Sequence, residues 1–177
     1  MSEHKILFVD DEANVLSALR RSLRKEPYNL FFAESPEEAM TILENDHIDL
    51  VVSDHLMPST DGLTFLKLVR DLYPDVIRII LTGAADVRLA IEAINEGEVF
   101  RFLTKPWNDL DLKVILKLVF DFLDLRRENQ VLLETVRKQK TFINKMETEH
   151  PGIFEVKRTD SGAIVIELDM DEDIASM

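Results

Sequence analysis

The sequence predicts an α/β fold, in which a five-stranded, doubly wound parallel sheet is followed by a long helix and a β-hairpin. Short apolar runs alternate five times with segments of helical periodicity. These runs lack the polar alternation of half-exposed strands, so we expect strands that are buried on both faces between helices. Between Asn108 and Pro151 the chain has neither Gly nor Pro, which favours one uninterrupted helix.

Five apolar runs define the predicted strands. They cover residues 5–9, 30–33, 48–52, 76–81 and 99–103. Strands that alternate with helices at this spacing form a parallel sheet. The carboxyl ends of such strands converge on one crevice. Polar residues that follow the first, third, fourth and fifth runs are therefore expected to lie close together.

The first two helices have clear boundary signals. The first carries apolar residues at helical spacing and basic residues in its last turn, and Pro27 closes it. The second begins with Ser35 as N-cap, Pro36 at the first helical position and Glu38 three residues after the cap.

Three further helices complete the alternation. The third is predicted over residues 62–71 and the fourth over residues 85–95, with Gly97 just past its end. Asn108 is a suitable cap for the fifth, predicted over residues 109–147. At 1.5 Å per residue, this last helix would be about 58 Å long.

The composition narrows the classes of function. A net charge of −13 argues against a nucleic-acid-binding surface, which needs clustered Lys and Arg. The absence of cysteine excludes disulfides, Cys-based metal sites and thiol catalysis. No signal-peptide pattern and no apolar run of about 18 residues is present, so we expect a cytoplasmic protein that does not contact the membrane.

The residues at four strand ends suit phosphoryl chemistry. Asp10 and Asp11 follow the first strand, Asp54 the third, Thr82 the fourth and Lys105 the fifth. Neighbouring carboxylates repel one another and favour a cation, and Mg²⁺ prefers oxygen ligands. An ammonium and a hydroxyl opposite them suit a phosphoryl group. Asp54 can then act as the nucleophile, with the metal offsetting charge.

Four motifs stand at these strand ends. They are Phe-Val-Asp-Asp-Glu at residues 8–12, Asp-His-Leu-Met-Pro-Ser-Thr-Asp-Gly at 54–62, Leu-Thr-Gly at 81–83 and Phe-Leu-Thr-Lys-Pro-Trp at 102–107. With these motifs in this order, approximately residues 4–125 resemble the receiver domain of bacterial two-component response regulators, which has a flavodoxin-like fold.

The resemblance implies a role for each acid. Asp54 would accept a phosphoryl group from a histidine kinase or a phosphotransfer protein, and would also contact Mg²⁺. Asp11 would bind Mg²⁺ directly and Asp10 chiefly through water. The backbone carbonyl of Leu56 would be a further metal ligand.

The resemblance also assigns the residues opposite the acids. Lys105 would pair with a phosphoryl oxygen, and its bond to Pro106 would be cis. The Thr82 hydroxyl and the Gly83 N–H would contact the phosphoryl group. Phe102 occupies the position of the family's switch aromatic, often Tyr, and would respond when Thr82 moves. Without a hydroxyl, Phe102 cannot be held inward by a hydrogen bond.

The long helix carries a second pattern. We predict a receiver domain over residues 1–125, a coiled-coil extension over 126–150, and a β-hairpin with an acidic tail over 151–177. Apolar residues recur at alternating steps of three and four, as in a heptad seam that joins two copies of the chain. The seam positions are Ile115, Leu118, Phe122, Leu125, Asn129, Leu132, Val136 and Ile143. The alternative is a packing face for a separate domain.

The sequence is compatible with three functions. The first is a response regulator that is not an enzyme beyond its own phosphorylation and dephosphorylation, and that signals to an unknown protein partner through a dimeric coil. The second, motivated by Trp107 and the long helix, is the regulatory receiver fragment of a larger enzyme such as a cyclic-dinucleotide phosphodiesterase. The third is a pseudo-receiver scaffold that is never phosphorylated.

Overall fold

The computed structural model describes residues 4–58 and 60–151, which form an α/β domain and a helical extension. The strands are β1 (His4–Val9), β2 (Tyr28–Ala33), β3 (Leu50–Asp54), β4 (Ile77–Gly83) and β5 (Arg101–Lys105). The helices are α1 (Ala13–Leu23), α2 (Pro36–Asn45), α3 (Gly62–Leu72), α4 (Val87–Asn95) and α5 (Asp109–Glu149), with a short 3₁₀ helix at Ala84–Asp86. None of the helices in these described ranges combines the length and apolar character needed to cross a membrane.

The sheet is parallel throughout, with strand order β2-β1-β3-β4-β5. Successive side chains of a strand point to opposite faces, and β1 shows the consequence. Ile6 and Phe8 pack in the layer under α1 and α5, whereas Leu7 and Val9 pack in the layer under α2, α3 and α4. The structure confirms the predicted doubly wound sheet.

Local signals position the helices that flank the site. The Ser35 hydroxyl accepts from the Glu38 N–H at 3.2 Å, as predicted for a cap. The Glu38 carboxylate accepts from the Glu34 N–H at 2.8 Å, one residue before the position it takes in a capping box. Gly97 has a φ of +73° just after α4, a conformation that a residue with a Cβ rarely adopts.

Three strands continue two residues further than the apolar runs predict. β3 ends at Asp54, β4 at Gly83 and β5 at Lys105. Parallel pairing extends to these residues, since Asp54 pairs with Leu81 and Lys105 with Gly83. The polar residues therefore lie on the last rungs of the ladder, where backbone hydrogen bonds hold them more firmly than a loop would.

The chain divides into two compact units at Asp124. In the first unit, α5 contributes five buried residues to the sheet, namely Leu112, Leu116, Val119, Phe120 and Leu123. In the second unit, the apolar side chains of the helix are exposed, including Leu125, Leu132, Val136 and Ile143. The predicted hairpin lies outside the described residues.

Candidate functional site

Three acids predicted at the strand ends lie together at the carboxyl edge of the sheet. Asp10 and Asp11 follow β1, and Asp54 ends β3, the strand paired with β1. One carboxylate oxygen from each lies within 4.8 Å of the others. Asp10 and Asp54 are buried and Asp11 is exposed. Three oxygen ligands of this kind fit a hard divalent cation that retains several waters.

Lys105 reaches this cluster from β5, two strands away from β3. Its Nζ lies 2.6 Å from Asp10 Oδ2 and 2.8 Å from Asp54 Oδ1. Burial alone would lower the pKa of Lys105, but the hydrogen bonds and negative charges of Asp10 and Asp54 together outweigh burial and raise that pKa. Burial raises the pKa of Asp10 despite the opposing effect of Lys105. The ammonium therefore remains charged and bridges two of the three acids.

The predicted switch residues lie on β4 and β5. Thr82 is 1% exposed, and its Oγ1 donates to the carbonyl of Gly83 at 3.3 Å. Phe102 is half-buried, pairs in register with Ile80 and packs in the layer under α2, α3 and α4. The Lys105–Pro106 peptide bond is cis.

The loop from β3 to α3 closes tightly over the end of β3. The Gly62 N–H donates to the carbonyl of His55 at 2.8 Å. A Cβ on Gly62 would lie 1.8 Å from the backbone oxygen of Asp54, which no real contact allows. Leu56, whose carbonyl is the predicted metal ligand, has a side chain that is 65% exposed. Asp61 caps α3 by accepting from the N–H groups of Leu63 and Thr64.

Comparison with known proteins agrees with this geometry. The family model for the response regulator receiver domain matches residues 6–117. The chain belongs to the response regulator receiver family. This confirms the resemblance stated from the motifs, and phosphorylation by a histidine kinase is the general function of this family.

Individual relatives show how far the likeness extends. The receiver chain is 31% identical to the hydrogenase transcriptional regulatory protein HoxA of Bradyrhizobium diazoefficiens, over 84% of this chain and 30% of HoxA. It is 37% identical to the signal receiver domain of an HD domain-containing protein from Pseudomonas fluorescens, covering 70% and 98% of the two chains with a TM-score of 0.66. It is 33% identical to a chain of adenylate cyclase from Rhodopirellula baltica, covering 75% and 98% with a TM-score of 0.70. The receiver chain thus spans about a third of the length of HoxA.

Sequence reasoning assigned no role to two residues beside the receiver's acids. The sequence predicts Gly62 only as the start of a helix, because its approach to Asp54 depends on how the loop folds back. Glu12 belongs to the first motif, yet its carboxylate also approaches Lys105, with Oε1 4.0 Å from Nζ. Three successive acids were the signal that could have drawn attention to it.

Proposed function

We propose that this receiver accepts a phosphoryl group on Asp54 from the phosphohistidine of a histidine kinase or phosphotransfer protein. A carboxylate oxygen of Asp54 attacks phosphorus while the P–N bond to histidine breaks, which leaves an acyl phosphate on Asp54. The observation that carries the proposal is the bridge of Lys105 to Asp54 and Asp10, beside three carboxylates whose oxygens lie within 4.8 Å.

Asp10, Asp11 and Asp54, with the Leu56 carbonyl, would hold Mg²⁺. When bound, the ion neutralises charge on the transferring oxygens. The chain's own groups supply the remaining contacts. Lys105 would pair with a phosphoryl oxygen. The Thr82 Oγ1 donates to the carbonyl of Gly83 at 3.3 Å, a bond that it would exchange for one to the phosphoryl group. Movement of Thr82 would leave space for Phe102.

The test is incubation with a small-molecule phosphodonor and Mg²⁺, followed by measurement of intact mass. Wild type should gain one phosphoryl group, and Asp54→Asn should gain none. Asp71→Asn is the matched control, since Asp71 is 63% exposed and lies on α3 away from the cluster. If Asp54→Asn is modified as fully as the control, the assignment is wrong. If wild type stays unmodified, the chain behaves as a pseudo-receiver.

We further propose that output passes through a homodimeric coiled coil to a protein partner, without contact to nucleic acid or membrane. In the second unit, Leu125, Leu132 and Val136 are about 60% exposed, as expected for a seam that a second copy covers. In the first unit, Leu118 and Phe122 are 45% and 43% exposed, whereas Ile115 packs partly in the receiver's own core. Asn129 would fix the register from an a position.

Sedimentation of the full chain tests this dimer. Leu132→Glu with Val136→Glu should convert a micromolar dimer to monomer, because two charges per helix would be buried in the seam. Lys138→Glu, a charge change on the same helix, should leave the dimer intact. A monomeric wild type would contradict the coil.

A second candidate is that these residues are the regulatory part of a larger enzyme. The first observation that favours it is that the match covers only 30% of the length of HoxA. The second is the likeness to a chain of adenylate cyclase and to the receiver domain of an HD domain-containing protein. The mass of the native protein isolated from its source decides between the two. A mass near 20.4 kDa would refute this candidate.

A further inference from the structure

Lys105 has a third carboxylate within reach besides the two that it bridges. Its Nζ is 2.6 Å from Asp10, 2.8 Å from Asp54 and 4.0 Å from Glu12 Oε1. Asp10 and Asp54 are buried, whereas the Glu12 side chain is 66% exposed. Among the described residues, no other acid is within 4.0 Å of this ammonium. Glu12 is therefore the most exposed of the three carboxylates around this ammonium.

The backbone of Glu12 is held by hydrogen bonds, whereas its side chain is largely exposed. Its N–H donates to Asp10 Oδ1 at 2.9 Å, so the residue is tied to the acid whose other oxygen holds Lys105. Its carbonyl accepts from the N–H groups of Val15 and Leu16 at the start of α1. The Glu12 carboxylate thus extends from a fixed point beside the cluster.

A divalent cation among Asp10, Asp11 and Asp54 would compete with this ammonium. Both cations bind carboxylates of Asp10 and Asp54, and a divalent cation repels a neighbouring ammonium in a partly buried site. The ammonium must then move away from Asp10. The Glu12 carboxylate lies 4.0 Å from the ammonium and is largely exposed. It can therefore pair with the displaced ammonium, which avoids the cost of burying an unpaired charge.

We propose that Glu12 is a positioning residue, which holds the Lys105 ammonium while Mg²⁺ occupies the acidic cluster. Glu12 would then favour metal binding and keep Lys105 within reach of an incoming phosphoryl group. The inference rests on the Mg²⁺ site of the proposed function. It assigns to the third acid of the motif an effect that acts through Lys105 rather than through the metal.

Calorimetric Mg²⁺ titration of the full chain tests the proposal without any phosphodonor. Glu12→Gln should weaken Mg²⁺ binding about threefold to fivefold, the upper part of the range that an exposed ion pair supplies. Glu12→Asp keeps the charge but shortens the reach by one methylene, so it should weaken binding almost as much. Lys105→Met should strengthen binding, and in that background Glu12→Gln should change affinity less than about twofold, because the pair is already absent.

Four outcomes would overturn the proposal, and they differ in what else they refute. Equal effects of Glu12→Gln with and without Lys105 would mean that Glu12 acts on the metal by charge alone. If Glu12→Asp binds Mg²⁺ as tightly as wild type does, Glu12 likewise acts on the metal by charge alone. An unchanged affinity for Glu12→Gln, when wild type binds Mg²⁺, would refute the role of Glu12 and leave the proposed function standing. Failure of wild type to bind Mg²⁺ would instead remove the metal site itself.

Discussion

Replacing Gly62 with Ala is expected to destabilise the fold and disturb the phosphoryl site together. The added Cβ would lie 1.8 Å from the backbone oxygen of Asp54, 2.8 Å from its carbonyl carbon and 3.0 Å from the Cα of His55. All three neighbours are backbone atoms, so no side chain can rotate away. The loop must move by more than 1 Å, and we expect a cost of about 3 kcal/mol, at the upper end for overpacking.

Two other glycines provide graded controls for this change. Gly83→Ala meets nothing closer than the Asp86 carboxylate at 3.9 Å, and should be neutral or slightly stabilising. Gly97→Ala has open space but a φ of +73°, and should cost about 1 kcal/mol. Urea unfolding followed by circular dichroism measures all three. A Gly62→Ala variant that is no less stable than Gly97→Ala would refute this expectation.

Further predictions concern pH, packing and metal. Burial would raise the pKa of Asp61, but hydrogen bonds from Thr64 and Leu63, with a smaller electrostatic contribution from His55, lower it. The cap therefore stabilises the fold above the ordinary pKa of 3.8, and this stabilisation is lost as pH falls through the lower folded pKa. Asp61→Asn should make the free energy of unfolding less dependent on pH in this range, and an unchanged dependence would contradict the prediction. Leu116 is fully buried, so Leu116→Ala should lower the free energy of unfolding in urea by about 3 kcal/mol. Leu132 is 62% exposed, so Leu132→Ala should chiefly weaken the dimer, as measured by sedimentation. Chelation of Mg²⁺ should slow phosphorylation by at least about tenfold, and an unchanged rate would exclude a metal role.

The location of the site at the carboxyl ends of the strands could be predicted, because its polar residues follow short apolar runs at regular spacing. Apolar runs set the order of strands, and parallel topology then brings Asp10, Asp54 and Lys105 to one edge. The runs end at Val52, Leu81 and Leu103, but pairing extends two residues beyond each, since backbone hydrogen bonds do not depend on apolar side chains.

Contacts that form only when a loop folds back or a helix packs on the sheet could not be predicted in the same way. The approach of Gly62 to Asp54 arises from a loop that returns to its own strand, and no periodicity encodes it. His4 stacks on Phe120 with ring centroids 4.1 Å apart, and its Nε2 lies 3.4 Å from Asp124 Oδ2. Such pairings between β1 and α5 become visible only once the helix is docked.

Locating the phosphoryl group tests the central claim most directly. After reaction with a phosphodonor and Mg²⁺, borohydride reduction converts an aspartyl phosphate to the corresponding alcohol, which peptide mass spectrometry places on the chain. We expect the reduced residue at Asp54, at the end of β3 and in contact with Lys105. A reduced residue at another acid, or a phosphorylated chain in which Asp54 is unchanged, would contradict the account.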